Sequence, residues 1–287
     1  MIRDSLTSMD FWNKWISFSL DRIHDDLQLI EEPAANPVFE AQFVFDIGLE
    51  HLRVMLRHYS RGDAISEVPQ YFPGMLDAWE LSNKHALEIG KKYDLERCRD
   101  WTFDLNNLNH YILCFWLVGL ALALNIPDDQ WQRLLRLIGQ EGKDELLDRV
   151  IAGRQPDRII GEQLLHKKPY QRLLKAINAP RDEQPALLKQ FVEHWYVELN
   201  RPGDQQPYWY IYGDPEKHSL EMGSYFGRWC IEAVAAVKAL GLDDSLCLGH
   251  EHYPGDLLRP EGPTTHPYRE EVEKPNRKSW IKRLFRG

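Results

Sequence analysis

The residues of this chain best suited to hold a metal ion lie close together near its C-terminal end. His250, Glu251 and His252 are consecutive, and Asp256 follows four residues later. Imidazole and carboxylate groups are ligands that zinc and other divalent cations accept. Alternate residues of a loop often point in different directions, and no second group of ligands accompanies these four. We therefore expect a loop held by structural hydrogen bonds, and we assign no metal site to it.

Motifs typical of enzymes are missing from the sequence. It contains no GxxxxGK[ST], no GxGxxG after a strand and no HExxH, and the segment Gly223–Gly227 has the wrong spacing for a nucleophile elbow. Glu232 lies four residues after Arg228, a spacing that predicts an ion pair on one helix. A catalytic acid would need a second carboxylate in a cleft. We predict no catalytic residue and no cofactor.

A set of acidic residues with neighbouring aromatics is a stronger candidate for function. They are predicted at helix ends or in loops of the C-terminal half, where binding surfaces concentrate, and aromatic side chains are frequent interface anchors. The alternative is that these residues only close the core. We predict that a partner is contacted by Asp214, Glu216, Glu221, Asp243, Asp244, Glu251, Asp256 and Tyr253.

Helical periodicity predicts the elements that position these residues. Apolar residues recur at helical spacing along nearly the whole chain, most clearly from Leu187 to Leu199. The run from Phe103 to Leu124 is apolar on most sides in its second half, as in a central helix. Only the short run Tyr208–Tyr212 has the composition of a strand. We predict an all-α protein, a multi-helix bundle with at most one very short β element.

The chain is predicted to form two packed helical halves and a tail. A boundary near Pro127 separates residues 1–126 from residues 127–260, and a basic, flexible tail covers residues 261–287. The tail ends in a short amphipathic piece, SWIKRLF, which suits a membrane surface or an acidic partner. We favour the simpler interpretation that this piece packs on the body or frays.

The charge is acidic outside the tail. The chain carries a formal net charge of −9, with +4 on residues 263–287 and therefore −13 on the rest. An acidic body repels nucleic acid and attracts basic partners. The four cysteines form no CxxC pair, no signal peptide is evident, and the apolar run Tyr111–Leu124 is too short to span a bilayer. We expect a cytoplasmic protein without stable membrane association that binds no nucleic acid.

The stretch from Tyr225 to Leu257 resembles the C-terminal domain of PoNi-type immunity proteins. The residues that carry the resemblance are Tyr225-Phe-Gly-Arg-Trp229, Glu232-Ala233, Ala236, Leu240-Gly-Leu-Asp-Asp244, His252-Tyr-Pro254 and Asp256-Leu257, with Lys168-Pro-Tyr170, Phe191, Trp195-Tyr196 and Tyr208-Trp-Tyr210 upstream. The N-terminal half is similar to the family's N-terminal domain, with looser motifs. Arg228-Trp229 departs from the family's pattern, and the basic tail extends beyond its domain.

The resemblance implies a non-enzymatic, all-helical immunity protein. Such a protein binds a cognate toxin encoded by a neighbouring gene, a nuclease delivered mainly by type VI secretion, and occludes its active site. A nuclease cleft is basic because it holds phosphates, so an acidic surface can be steered to it. Two alternatives stay open: a helical scaffold or regulatory module that binds another protein, and a metal-dependent hydrolase that uses the His250–Asp256 loop. A homodimer also stays open.

Overall fold

The computed structural model describes residues 1–32, 36–96 and 102–268. Within these residues the chain forms nine α-helices and no strand, which confirms the all-α prediction. The helices are α1 (Met9–Leu29), α2 (Glu40–Arg61), α3 (Phe72–Tyr93), α4 (Leu108–Ala123), α5 (Asp128–Ile138), α6 (Glu145–Ala152), α7 (Tyr170–Asn178), α8 (Gln184–Glu198) and α9 (Ile231–Leu240).

The first three helices pack side by side, with α2 between α1 and α3. Ser8 caps α1 by accepting a hydrogen bond from the backbone N–H of Phe11, and α2 ends at Gly62 in the left-handed conformation, with a φ of 100°. Most of α2 is buried because it has neighbours on both sides. Helix α1 covers only one side of it and leaves much of its own surface in solvent.

Helix α4 is the central helix, as its apolar composition predicts. All residues from His110 to Ala123 are buried, and Asn107 caps the N-terminus. It packs closely against α9, whose first six residues are also buried. A Cβ atom at Gly119 would lie 2.6 Å from Cγ2 of Ile231, so the two helices approach each other more closely than any larger residue allows.

The segment Tyr208–Tyr212 lies in a loop that contains a short 3₁₀ turn at Tyr210–Gly213, and it forms no strand. Tyr196 of α8 stacks on Tyr210 with ring centroids 4.4 Å apart, and its hydroxyl donates to the Tyr210 carbonyl oxygen at 2.9 Å. The aromatic residues of this run therefore serve packing between α8 and the loop.

The two predicted halves share one hydrophobic core. A single cluster of buried side chains includes Trp79 from the first half and Trp195 and Leu257 from the second. Within residues 261–268, which the sequence assigns to the tail, Thr264 and Thr265 donate to Asp256, and the buried His266 places its Nε2 2.8 Å from the hydroxyl of Tyr59. The amphipathic piece at 279–285 lies outside the described residues.

Across residues 1–32, 36–96 and 102–268, none of the helices combines the length and the apolar character that a bilayer crossing requires.

Candidate functional site

The eight residues predicted to contact a partner fall into two groups. Five have solvent-accessible side chains, Asp214 only in part, and we call them the acidic surface: Asp214, Glu216, Glu221, Asp243 and Glu251. The other three are buried, with exposed fractions of 6% for Asp244, 3% for Asp256 and 0% for Tyr253. Of the four carboxylates predicted after Gly241 to contact a partner, Asp243 and Glu251 face solvent and Asp244 and Asp256 face inward.

Asp244 stabilises the loop that follows Gly241 through buried hydrogen bonds to residues near the end of that loop. Its Oδ2 accepts a hydrogen bond from the Tyr253 hydroxyl at 2.5 Å, and its two oxygens accept the Arg259 guanidinium at 2.9 and 2.5 Å. Burial and the adjacent Asp244 carboxylate both raise the pKa of the Tyr253 phenol, so that the phenol stays a donor. The three side chains link the start of the loop to its end.

Asp256 ties the loop to the beginning of the chain. Its carboxylate accepts hydrogen bonds from Nε of Arg3 at 2.6 Å, from the hydroxyls of Thr264 and Thr265 at 2.8 Å each, and from the Thr265 N–H at 2.6 Å. Burial opposes ionisation, but these donors prevail and hold the pKa of Asp256 below its ordinary value. Arg3 also donates to the carbonyl oxygens of Tyr59 and Asp63 at 3.0 and 2.9 Å.

Arg228 contacts both the segment that carries Asp214 and the loop that carries Glu251. Its guanidinium pairs with Glu251 at 3.3 Å and lies 5.3 Å from the ring centroid of Tyr196. Its Cδ packs against Gly213, where an added Cβ would approach it to 2.6 Å. Because Gly213 directly precedes Asp214, the segment that carries Asp214 and the loop that carries Glu251 meet at one arginine.

The predicted ion pair between Arg228 and Glu232 is wrong, because Arg228 lies before α9 begins and Glu232 lies in its first turn. Glu232 is fully buried. Its oxygens accept hydrogen bonds from the Tyr170 hydroxyl at 2.9 Å and from the indole N–H groups of Trp195 at 3.1 Å and Trp116 at 3.2 Å. Burial outweighs these donors and raises the pKa of Glu232 to about 7. The residue is a structural acid inside the core.

Two of the four candidate metal ligands in the His250–Asp256 loop, His252 and Asp256, are engaged in structural hydrogen bonds. Nδ1 of His252 lies 3.1 Å from the Arg228 carbonyl oxygen, and burial lowers the pKa of His252 to about 4. Both oxygens of Asp256 accept hydrogen bonds, as described above. Within the part of the chain that the structure describes, no three His, Cys, Asp or Glu side chains are arranged to hold a metal ion. This geometry gives the metal-dependent hydrolase no support.

Several residues that build this site gave no signal in the sequence. Arg3 lies 253 positions before Asp256, and Arg259 lies 15 positions after Asp244. Neither separation corresponds to a helical or strand period, so no pattern links the partners. Arg228 stands out in the sequence by its spacing from Glu232 and by its departure from the family's motif, and neither indicates its place between Glu251 and Gly213, which depends on the tertiary structure.

Comparison with known proteins gives both a fold and a family. The structure of protein PA2201 from Pseudomonas aeruginosa matches with a TM-score of 0.64 and 19% identity over 90% of this chain and 89% of that chain, which shows a shared fold. No curated protein matches significantly. The family model described as PoNe immunity protein (PoNi), N-terminal, matches residues 3–136, and the corresponding C-terminal model matches residues 142–257. The chain therefore belongs to the PoNe immunity proteins (PoNi), a family of non-enzymatic immunity proteins against nuclease effectors.

Proposed function

We propose that this protein binds a cognate antibacterial nuclease toxin and neutralises it by covering the toxin's active site with the acidic surface. One observation carries the proposal. The loop after Gly241 is fastened from inside by Asp244 and Asp256, while it presents Asp243 and Glu251 to solvent. A surface that is already held in one conformation loses little entropy on binding, which favours tight association.

The charge distribution supports the same interaction. Apart from residues 263–287 the chain carries a net charge of −13, and a nuclease cleft is basic because it must hold phosphates. Attraction between the two surfaces accelerates encounter and places the acidic residues against the cleft. Occupation of the cleft by carboxylates then excludes the nucleic-acid substrate.

We also propose the biological setting that the family resemblance implies. The toxin is encoded by a neighbouring gene and delivered by a type VI secretion system, and the immunity protein acts in the cytoplasm of the cell that it protects. Co-expression tests this setting, because cells that produce the toxin should grow only when this protein is also present.

The acidic surface is tested with a double variant, Asp243→Lys with Glu251→Lys. We expect the affinity for the purified neighbouring toxin, measured by calorimetry, to fall at least about tenfold and to depend less on salt concentration. The reason is that two carboxylates which meet the basic cleft become cations. The variant should also fail to protect DNA from the toxin in a cleavage assay.

A control variant makes the same change of charge elsewhere. Glu162→Lys with Asp182→Lys alters two exposed residues outside the acidic surface and should bind and protect almost as the wild type does. Equal loss in both variants would show that only net charge matters, and full protection by the first variant would place the contact elsewhere. If the wild-type protein neither binds nor inhibits the toxin, the proposed function is wrong.

A further inference from the structure

A cavity lined by arginines opens at the junction of α1, α2 and the segment that precedes Tyr225. Its volume is about 160 Å³. Helix α1 contributes Trp15, Phe18 and Arg22, helix α2 contributes Glu50, Arg53 and Arg57, and residues 212 and 222–224 close the third side. It is distinct from the acidic surface, although Glu221 directly precedes its lining residue Met222.

The lining of the cavity has more positive than negative charge. Glu50 accepts hydrogen bonds from Arg57 at 2.8 Å and from Arg53 at 3.0 Å, so one carboxylate is shared by two guanidinium groups. Burial opposes the ionisation of Glu50, but Arg57 and Arg53 together lower its pKa to about 2, and it stays charged. Arg22 is the third cation of the lining. The lining thus has three cations and one anion.

Apart from Glu50, the carboxylates nearest to these arginines lie outside the lining. Asp26 pairs with Arg22 at 3.3 Å, one turn further along α1. Asp46, one turn before Glu50, interacts with Arg53 and Arg22, and burial raises its pKa. Arg53 also interacts with the Tyr208 hydroxyl, and its side chain is 26% exposed, while that of Arg57 is 4% exposed. The Arg22 side chain is 45% exposed, so its guanidinium is the cation of the lining that an incoming anion reaches most directly.

The rim of the cavity exposes large apolar side chains. Phe18 is 53% exposed and Met222 is 65% exposed, and Phe18 stands edge-on to Trp15 with ring centroids 5.3 Å apart. A pocket of arginine and tryptophan with an apolar border has the composition of the residues that dominate protein–protein binding energy. The border would exclude water from an ion pair formed inside, which strengthens the pair.

We propose that this cavity receives the carboxylate of an Asp or Glu side chain of the cognate toxin, while Phe18 and Met222 contact apolar toxin surface around it. This inference rests on the proposed function and adds a second point of contact. At the acidic surface this protein supplies the negative charges, whereas at the cavity it supplies the positive charges. A toxin that matches both the acidic surface and the arginine cavity binds in a single orientation, and a toxin without the carboxylate is rejected. The cavity thus contributes specificity.

The test uses the full-length protein and the inactivated toxin encoded by the neighbouring gene. Arg22→Gln and Phe18→Ala change residues that are largely exposed, and each should weaken binding at least about tenfold by calorimetry. The matched controls are Arg172→Gln, whose side chain is 40% exposed, and Leu87→Ala, where the leucine is 76% exposed. The controls should change the affinity less than about twofold.

A double-mutant cycle identifies the charge pair. Each surface Asp and Glu of the toxin is changed to Ala, and binding is measured to the wild type and to Arg22→Gln. One toxin variant should bind the wild-type protein more weakly than the unchanged toxin does. The same toxin variant and the unchanged toxin should bind Arg22→Gln with nearly equal affinity, because that substitution has already removed the charge pair. If the wild type binds the toxin but no carboxylate couples to Arg22, the cavity proposal is overturned and the proposed function stands.

Two further outcomes are informative. Millimolar inorganic phosphate that raises the melting temperature of the wild type but not of Arg22→Gln, without any coupled toxin carboxylate, would make the cavity a site for a small anion and would overturn the proposal. If the wild type does not bind the toxin at all, the cavity proposal and the proposed function fall together.

Discussion

Two adjacent carboxylates, Asp243 and Asp244, have opposite surroundings in this protein. Asp243 is exposed and accepts a hydrogen bond from the Ser245 N–H at 2.8 Å. Asp244 is buried and accepts hydrogen bonds from Tyr253 and Arg259. The two residues are consecutive in the turn that follows α9. The backbone of this turn directs the Asp243 side chain outward and the Asp244 side chain inward.

The same substitution at these two aspartates compares the effect of a lysine at an exposed position with its effect at a buried position. Asp244→Lys should lower the free energy of unfolding by about 3–5 kcal/mol, because a second cation would be buried beside Arg259 and the Tyr253 hydroxyl would lose its acceptor. Asp243→Lys should lower the free energy of unfolding by less than about 1 kcal/mol, because it removes only the exposed hydrogen bond from the Ser245 N–H, and it should weaken toxin binding. Urea denaturation followed by circular dichroism measures both. Equal stability of the two variants would contradict the burial of Asp244.

Glu232 should make the stability depend on pH. Its pKa is about 7 in the folded protein and lies near 4.3 in an unfolded chain. Between these values the folded state binds the proton and the unfolded state does not, so the stabilisation present at low pH is lost as the pH rises toward 7. The loss is roughly 4 kcal/mol, at about 1.4 kcal/mol per pKa unit.

Glu232→Gln is the control for this dependence. The amide does not titrate, so the difference in unfolding free energy between wild type and variant should favour the wild type more at pH 5 than at pH 8. Chemical denaturation at a series of pH values measures the difference. A difference that stays constant with pH would show that Glu232 does not titrate in this range.

At the scale of the elements, the packing of α4 against α9 organises the core. The sequence predicts both helices, since α4 is apolar on most sides and α9 is rich in Ala and Val. Their close approach depends on Gly119, whose missing side chain leaves room for Ile231 and Ala235. Helical periodicity identifies each helix but does not indicate which partner it meets.

Gly119→Ala should therefore destabilise the protein, although alanine favours the helix by about 1 kcal/mol over glycine. The new Cβ would lie 2.6 Å from Cγ2 of Ile231 and 3.1 Å from Cβ of Ala235, and overpacking of this kind costs about 1–3 kcal/mol. We expect a lower melting temperature by calorimetry. In the background of Ile231→Ala the same substitution should cost much less, and an equal cost in both backgrounds would contradict the contact.

At the scale of the whole molecule, the two halves are joined by more than the core. Arg3 and Asp256 form a buried ion pair between the beginning of the chain and the loop that carries part of the acidic surface. The resemblance and the family models divide the chain into two regions, but the shared cluster of buried side chains predicts that it unfolds as one unit.

Arg3→Gln tests this connection. The substitution removes the positive charge from Asp256 and should lower the free energy of unfolding by about 1–3 kcal/mol. Tryptophan fluorescence and far-UV circular dichroism should report one shared transition in the wild type and in the variant. Lys14→Gln, at an exposed position of α1, is the control and should change little. Separate transitions for the two probes would show that the halves unfold independently.

The sequence by itself determined the fold class, the central position of α4 and the family. These depend on local periodicity and on short runs of residues, which a reader of the chain can see directly. Only the tertiary structure decided that Asp244, Tyr253 and Asp256 face inward and that Asp243 and Glu251 face solvent. The physical reason is that the direction of a loop side chain depends on its partners, and Arg3, Arg259 and Thr265 reach those positions only through the folded chain.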